Sequence, residues 1–129
     1  MRVKTLLYLL FVAVAVVALA SCDRWDGLTL RNDGETTLRV TWQLPGGREF
    51  PVSPYSSTQD GRVGTPVAPG ATAEAGAVGG PPDPQPDLIV KAYDSSGNLV
   101  YCRRFSPAEY RGMTSKSPLS LKPGELRCR

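Results

Sequence analysis

LIVKAY (residues 88–93), DSSGN (94–98) and LVYCRRF (99–105) make up the stretch that decides the fold. Two apolar runs of strand length, rich in β-branched and aromatic residues, flank a turn containing Gly97, a pattern that predicts an antiparallel β-hairpin. Downstream, Ser106-Pro107-Ala108-Glu109 supplies an N-cap hydroxyl, a proline at the first helical position and a glutamate spaced to complete a capping box. One helical turn through Tyr110, closed by Gly112, is expected. Leu119 and Leu121 then alternate as a last strand, and Pro123-Gly124 turns the chain into a tail carrying Cys128.

Upstream, Leu28-Thr29-Leu30-Arg31 alternates, Asn32-Asp33-Gly34-Glu35 has turn chemistry, and Leu38, Val40 and Trp42 alternate again. This predicts a second β-hairpin with one buried face. Pro45-Gly46-Gly47 interrupts the chain before a short segment around Phe50 and Val52, where Pro51 demands a sheet edge because it has no N–H to donate. Residues 53–87 lose strong periodicity: Val63 and Val67 frame one short strand, and residues 71–78 suggest another. Residues 79–87 contain Pro81, Pro82, Pro84 and Pro86, which cannot donate to a ladder, so an exposed and fairly stiff loop is expected there.

Short strands punctuated by turn residues indicate an all-β fold. The expectation is a small immunoglobulin-like β-sandwich of about six or seven strands over residues 28–129, with one short helical turn. The Cys-Trp-Cys order of antibody domains is absent, since Trp42 precedes both Cys102 and Cys128; a small open barrel is the other arrangement compatible with this pattern.

The beginning of the chain has a different character. Arg2 and Lys4 precede an unbroken apolar run over residues 6–20, and Leu19-Ala20-Ser21-Cys22 closes it with small residues and a thiol. The run is nearer the length of a signal-peptide h-region than the roughly 20 apolar residues of a spanning helix. In that context the four residues resemble the lipobox of bacterial lipoproteins. The resemblance covers only the export segment. It implies a signal helix in residues 1–21, cleavage between Ser21 and Cys22, diacylglyceryl (palmitate-type) acylation of Cys22, and a lipidated tether over residues 22–27. It also implies a cell-membrane location, lipid-anchored on the extracytoplasmic face, with Asp23 associated with inner-membrane retention if the cell has two membranes. With no twin-arginine pair, general secretory export is expected.

The 129 residues carry 15 basic and 12 acidic side chains; losing Arg2 and Lys4 would lower the net charge from +3 to +1. A near-neutral domain whose densest basic feature is Arg103-Arg104 lacks the footprint for nucleic-acid binding. All 13 Gly and 12 Pro lie beyond residue 21, so the core is small. Cys102 and Cys128 would sit in a compartment where disulfides persist. Joined, they would restrict the unfolded chain by roughly 3 to 4 kcal/mol in the loop-entropy account, and no CxxC spacing suggests a redox pair instead.

The chain contains no histidine. That excludes a Ser-His-Asp triad, a Cys-His pair and histidine-bearing zinc sites, and three cysteines cannot build a Cys₄ site. No cofactor and no metal site is expected. Carboxylate chemistry remains open to Asp83, Asp87, Asp94, Glu109 and Glu125, although most stand in turns where acids are common. Ser115-Lys116 has no oxyanion motif beside it. Asp94-Ser95-Ser96-Gly97-Asn98 lacks the remainder of a calcium loop, and Gly46-Gly47-Arg48 lacks that of a phosphate loop. Tyr55, Tyr93, Tyr101 and Tyr110, with Trp42, could line a sugar-binding face, but strand aromatics more often pack in the core. The sequence therefore reads as a non-catalytic protein-interaction or structural module of the cell envelope with an envelope protein partner. Recognition of envelope carbohydrate is the alternative.

Overall fold

Leu88, Val90 and Ala92 alternate with Ile89, Lys91 and Tyr93, and in a pleated strand these two sets must face opposite ways. The first set is wholly buried in the core. The strand and its partner pair antiparallel from Leu88↔Phe105 to Ala92↔Tyr101, then shift at a bulge so that Tyr93 meets Leu99. The hairpin read from the sequence is thus present. Its turn is held by the Asp94 carboxylate, which accepts the Ser96 and Asn98 amides, with Gly97 at φ +86° where a side chain would be strained.

The computed structural model describes residues 27–54, 64–76 and 84–128. The apolar run, the Leu19-Ala20-Ser21-Cys22 box, Trp25, Tyr55, Val63, Asp83 and residues 77–83 of the Pro/Gly-rich loop lie outside that set. Nine strands occur among the described residues: β1 (Leu28–Asn32), β2 (Leu38–Gln43), β3 (Phe50–Pro51), β4 (Thr65–Val67), β5 (Thr72–Ala75), β6 (Leu88–Tyr93), β7 (Leu99–Phe105), β8 (Leu119–Leu121) and β9 (Leu126–Arg127). Between β7 and β8, α1 (Pro107–Tyr110) is the expected single turn with its capping box formed: Ser106 Oγ accepts the Glu109 amide, and Glu109 Oε2 accepts the Ser106 amide.

The strands form two sheets, β5-β1-β8 and β3-β2-β6-β7-β9, with β4 sharing the β3 edge of β2. Leu28, Leu30, Ala73 and Leu121 from the first sheet and Leu38, Val40, Val90, Tyr101 and Phe105 from the second belong to one buried cluster. The all-β, sandwich-like fold is therefore the one expected. The strand number exceeds the expected six or seven; β9, a two-residue pairing in what reads from the sequence only as a tail, is one of the additional strands. Pro51 stands at a sheet edge, as its missing N–H requires. Two pairs, β1 with β8 and β7 with β9, are parallel.

One expected element is corrected. β1 and β2 do not form a hairpin: β1 pairs with β5 and β8, whereas β2 pairs with β3, β4 and β6. The segment 33–37 is an arch that carries the chain from one sheet to the other. Its cause is Asn32, whose side chain turns inward and is wholly buried. Nδ2 donates to the carbonyls of Thr36 and Val67, both at 2.8 Å, while Oδ1 accepts the Gly34 amide at 2.9 Å. Its backbone N–H and C=O are taken by Ala71 and Gly70. A second crossing occurs after β3, where Ser53 exchanges two 2.8 Å backbone hydrogen bonds with Glu74 of β5. Thr65 closes the junction between β3 and β4 by donating its hydroxyl to the Val52 carbonyl at 2.6 Å.

The Pro/Gly-rich loop is also less free at its described end than its composition suggests. Tyr110 donates to the Pro86 carbonyl at 3.0 Å, Arg111 donates to Gln85 Oε1, and Asp87 pairs with Arg104 at 2.7 Å.

Replacing Asn32 with Ala would leave the buried Val67 carbonyl without a partner, a loss of about 1 to 3 kcal/mol, and would remove the partly exposed hydrogen bonds to Thr36 and Gly34, each worth about 1 kcal/mol or less. Asn32→Ala is therefore expected to lower stability by about 2 to 3 kcal/mol in urea unfolding. Asn32→Asp should be worse, because a carboxylate would face two carbonyl oxygens. A shift of only a few tenths for Asn32→Ala would show that the arch does not depend on this side chain.

Candidate interaction surface

Because one face of the β3-β2-β6-β7-β9 sheet covers the core, its other face carries the alternate residues of the same strands. The register lines them up in rows. Arg39, Tyr93 and Leu99 form one row, and Thr41, Lys91, Cys102 and Leu126 the next. The bulge sends both Val100 and Tyr101 toward the core and leaves Leu99 on the outer face. Among the described residues Leu99, at 38% exposure, and Leu126, at 59%, are the large hydrophobic side chains that remain in water.

Glu49, immediately before β3, folds onto the first two rows. Its Oε1 accepts from Tyr93 at 2.7 Å and Lys91 at 2.9 Å, and Oε2 accepts from Thr41 at 3.3 Å. Burial alone would raise the Glu49 carboxyl, but the hydrogen bonds from Tyr93 and Lys91 and the Lys91 charge hold it below the ordinary glutamate range. Burial, then the hydrogen bond to Glu49 and its charge, drives the Tyr93 phenol up and keeps it protonated as a donor. Lys91, Glu49 and Tyr93 thus form a locked polar knot, with exposed Leu99 and Leu126 on the same face.

The outer edge is closed by the tail. Cys102 and Cys128 are brought to disulfide-bonding separation, with Cα atoms 5.2 Å apart, inside the range such a bond requires. The Cys102 amide donates to Glu125 and the Gly124 amide to Val100, both at 2.8 Å, so β9 covers part of the exposed edge of β7. Arg103 lies 4.7 Å above the Phe105 ring and within 3.8 Å of both Glu109 and Glu125. Burial, then the charge of Glu125, pushes the Tyr101 phenol up to about 12.

The sequence-marked candidates fall into two groups. Of the carboxylates, Asp87 is engaged by Arg104, Asp94 by its own turn, Glu109 by the capping box and Glu125 by Arg103. The Asp94 and Glu109 carboxyls are held low by backbone hydrogen bonds from Asn98 and Ser106, the reverse of the raised acid that glycoside chemistry needs. Asp83 is outside the described residues. Of the aromatics, Tyr101 and Tyr110 are wholly buried, and Trp42 stacks on Phe50 with ring centroids 5.0 Å apart. No shared sugar-binding face is formed by Tyr93, Tyr101 and Tyr110. Sequence reading missed Glu49 and Leu126. Glu49 acquires its role only through strands 42 residues away, whereas exposed Leu126 beside Cys128 was a visible signal.

No group of three or more metal-ligating side chains is assembled among the described residues, and no helix among them is long and apolar enough to cross a membrane. Compared with protein-family models, curated proteins and solved structures, the chain matches none.

Glu49 is bound more tightly ionised than in the unfolded chain, so its contribution is complete above about pH 4.5, its ordinary value, and disappears as pH falls through its lower folded value. The acid limb of the stability profile should flatten in Glu49→Gln, and an NMR titration should place the Glu49 carboxyl lower in the wild type than in Lys91→Met. For the tail, a non-reducing mass measurement should find Cys102 and Cys128 blocked to alkylation. Replacing both with Ser should cost about 3.5 kcal/mol in the loop-entropy account; two alkylatable thiols in the native protein would remove the bridge.

Proposed function

We propose that this protein is a bacterial lipoprotein, acylated at Cys22 and held on the extracytoplasmic face of the cell membrane. Its small β-sandwich serves a non-catalytic protein-interaction or structural role in the envelope. One observation carries the interaction half: the outer face of the larger sheet leaves Leu99 and Leu126 in water beside a rigid Glu49–Lys91–Tyr93 knot. An apolar pair framed by fixed polar groups suits a protein surface better than a small polar ligand. The anchoring half is supported by the basic start, the apolar run and the Leu19-Ala20-Ser21-Cys22 box, placed six residues before β1.

The carbohydrate-binding alternative draws no support from the tyrosines, since Tyr101 and Tyr110 are spent in the core. With the carboxylates engaged in turns, caps and ion pairs, the reading stays with binding.

Two measurements test the two halves separately. Metabolic labelling with palmitate should acylate the wild-type protein, whereas Cys22→Ala should accumulate as unlabelled precursor; normal maturation of that variant would refute the anchor. A photo-cross-linking residue at position 126 should capture one dominant envelope protein in intact cells, while the same residue at position 95, in the β6–β7 turn, should not. Equal capture at both positions would remove the sheet face from the binding site.

A further inference from the structure

Five virtual bonds separate Cys22 from Gly27, and a fully extended chain covers at most about 3.6 Å per residue, so the tether reaches no farther than about 18 Å. Gly27 is itself held in the fold: a Cβ there would collide with the Ala75 carbonyl oxygen and crowd Gly76. If the anchoring reading above holds, the end of the sandwich where β1 begins must stay close to the bilayer. The opposite end lies about 17 Å farther off, the length of a five-residue strand.

The register identifies that end. Thr29 donates its amide to Met113, which brings the β7–β8 connection, with α1, beside the start of β1. Gln43 pairs with Ile89, so the β2–β3 turn and the start of β6 lie at the same end, and Arg111 is joined to Gln85 there. Three cations are grouped in this region: Arg48 in the β2–β3 turn, and Arg111 and Lys116 in the β7–β8 connection. None of the three takes part in an ion pair among the described residues. Of the described acids near this end, Asp87 is engaged by Arg104, Glu49 by Lys91 and Glu109 by the helix cap, while exposed Glu74, opposite Thr29 in β5, offsets one of the three positive charges. The far end carries Glu35 and Asp94, with Asp33 paired to Arg31, against Lys122 and Arg39, so it is close to neutral. The tether adds Asp23 and Asp26 against Arg24, so the folded domain supplies the attraction.

We infer that the sandwich stands end-on to an anionic lipid surface, with Arg48, Arg111 and Lys116 against headgroup phosphates. Both sheet faces, including Leu99 and Leu126, then point sideways into the envelope space. This inference rests on acylation of Cys22. Each basic side chain near an anionic surface is worth about a fivefold gain in association, enough for three to bias the orientation of a domain already tethered.

The test uses the mature protein extracted with its own anchor, acylation at Cys22 being read from its intact mass. It is placed in nanodiscs containing phosphatidylglycerol and a gadolinium-chelating lipid. Amide signals of Gly46, Gly47, Gly112 and Lys116 are expected to broaden, and those of Glu35 and of residues 95–97 to remain sharp. In Arg48→Gln/Arg111→Gln/Lys116→Gln, or in neutral discs, the contrast should fall toward an even pattern. Stronger broadening at residues 95–97 or along the β6 and β7 amides would overturn the orientation while leaving the anchor intact. An unchanged pattern in the triple variant would overturn the headgroup contact. A mass without acyl chains would overturn the anchor and this inference with it.

Discussion

The inward turn of Asn32 is the constraint on which the two-sheet arrangement depends. A wholly buried amide must have its hydrogen bonds, because leaving them unmade costs more than forming them contributes. Here each group finds a partner from a different part of the chain: Thr36 and Gly34 in the arch, Val67 in β4, and Ala71 and Gly70 at the β4–β5 turn. One residue therefore fixes where the chain leaves the smaller sheet and where β4 must lie to receive it. With β1 and β2 in separate sheets, their apolar sides meet across the core.

A domain with strands this short has many edges relative to its size, and edges invite unwanted pairing. The chain limits that exposure by several means. Pro51 and Pro66 stand in the strands that border β2, where a missing donor does no harm. Ser53 pairs outside β5, and the tail is laid along β7 with Cys128 beside Cys102. Among the described residues, Leu99 and Leu126 are the large hydrophobic side chains left exposed.

The hairpin over residues 88–105, the capping box, the edge position of Pro51 and the meeting of Cys102 with Cys128 were all legible in the sequence, because each is local or follows from a single residue type. The β1–β2 relation was not. Alternation reports which side of a strand is buried and is silent about which strand receives its hydrogen bonds, so an arch and a hairpin give the same pattern. The surface was half legible: the cysteines were marked and Leu126 was passed over, while nothing near Glu49 indicates that Lys91 and Tyr93 will close on it.

Composition alone, in the absence of histidine and the near balance of charge, bounded the chemistry of this chain, and periodicity bounded its class. Those are properties of residue type and near-neighbour spacing, which the chain carries whether folded or not. The pairing of sheets, the parallel placement of β8 and β9, and the face shared by Glu49, Leu99 and Leu126 belong to the tertiary structure, because they depend on which distant backbone groups satisfy one another once the core has closed.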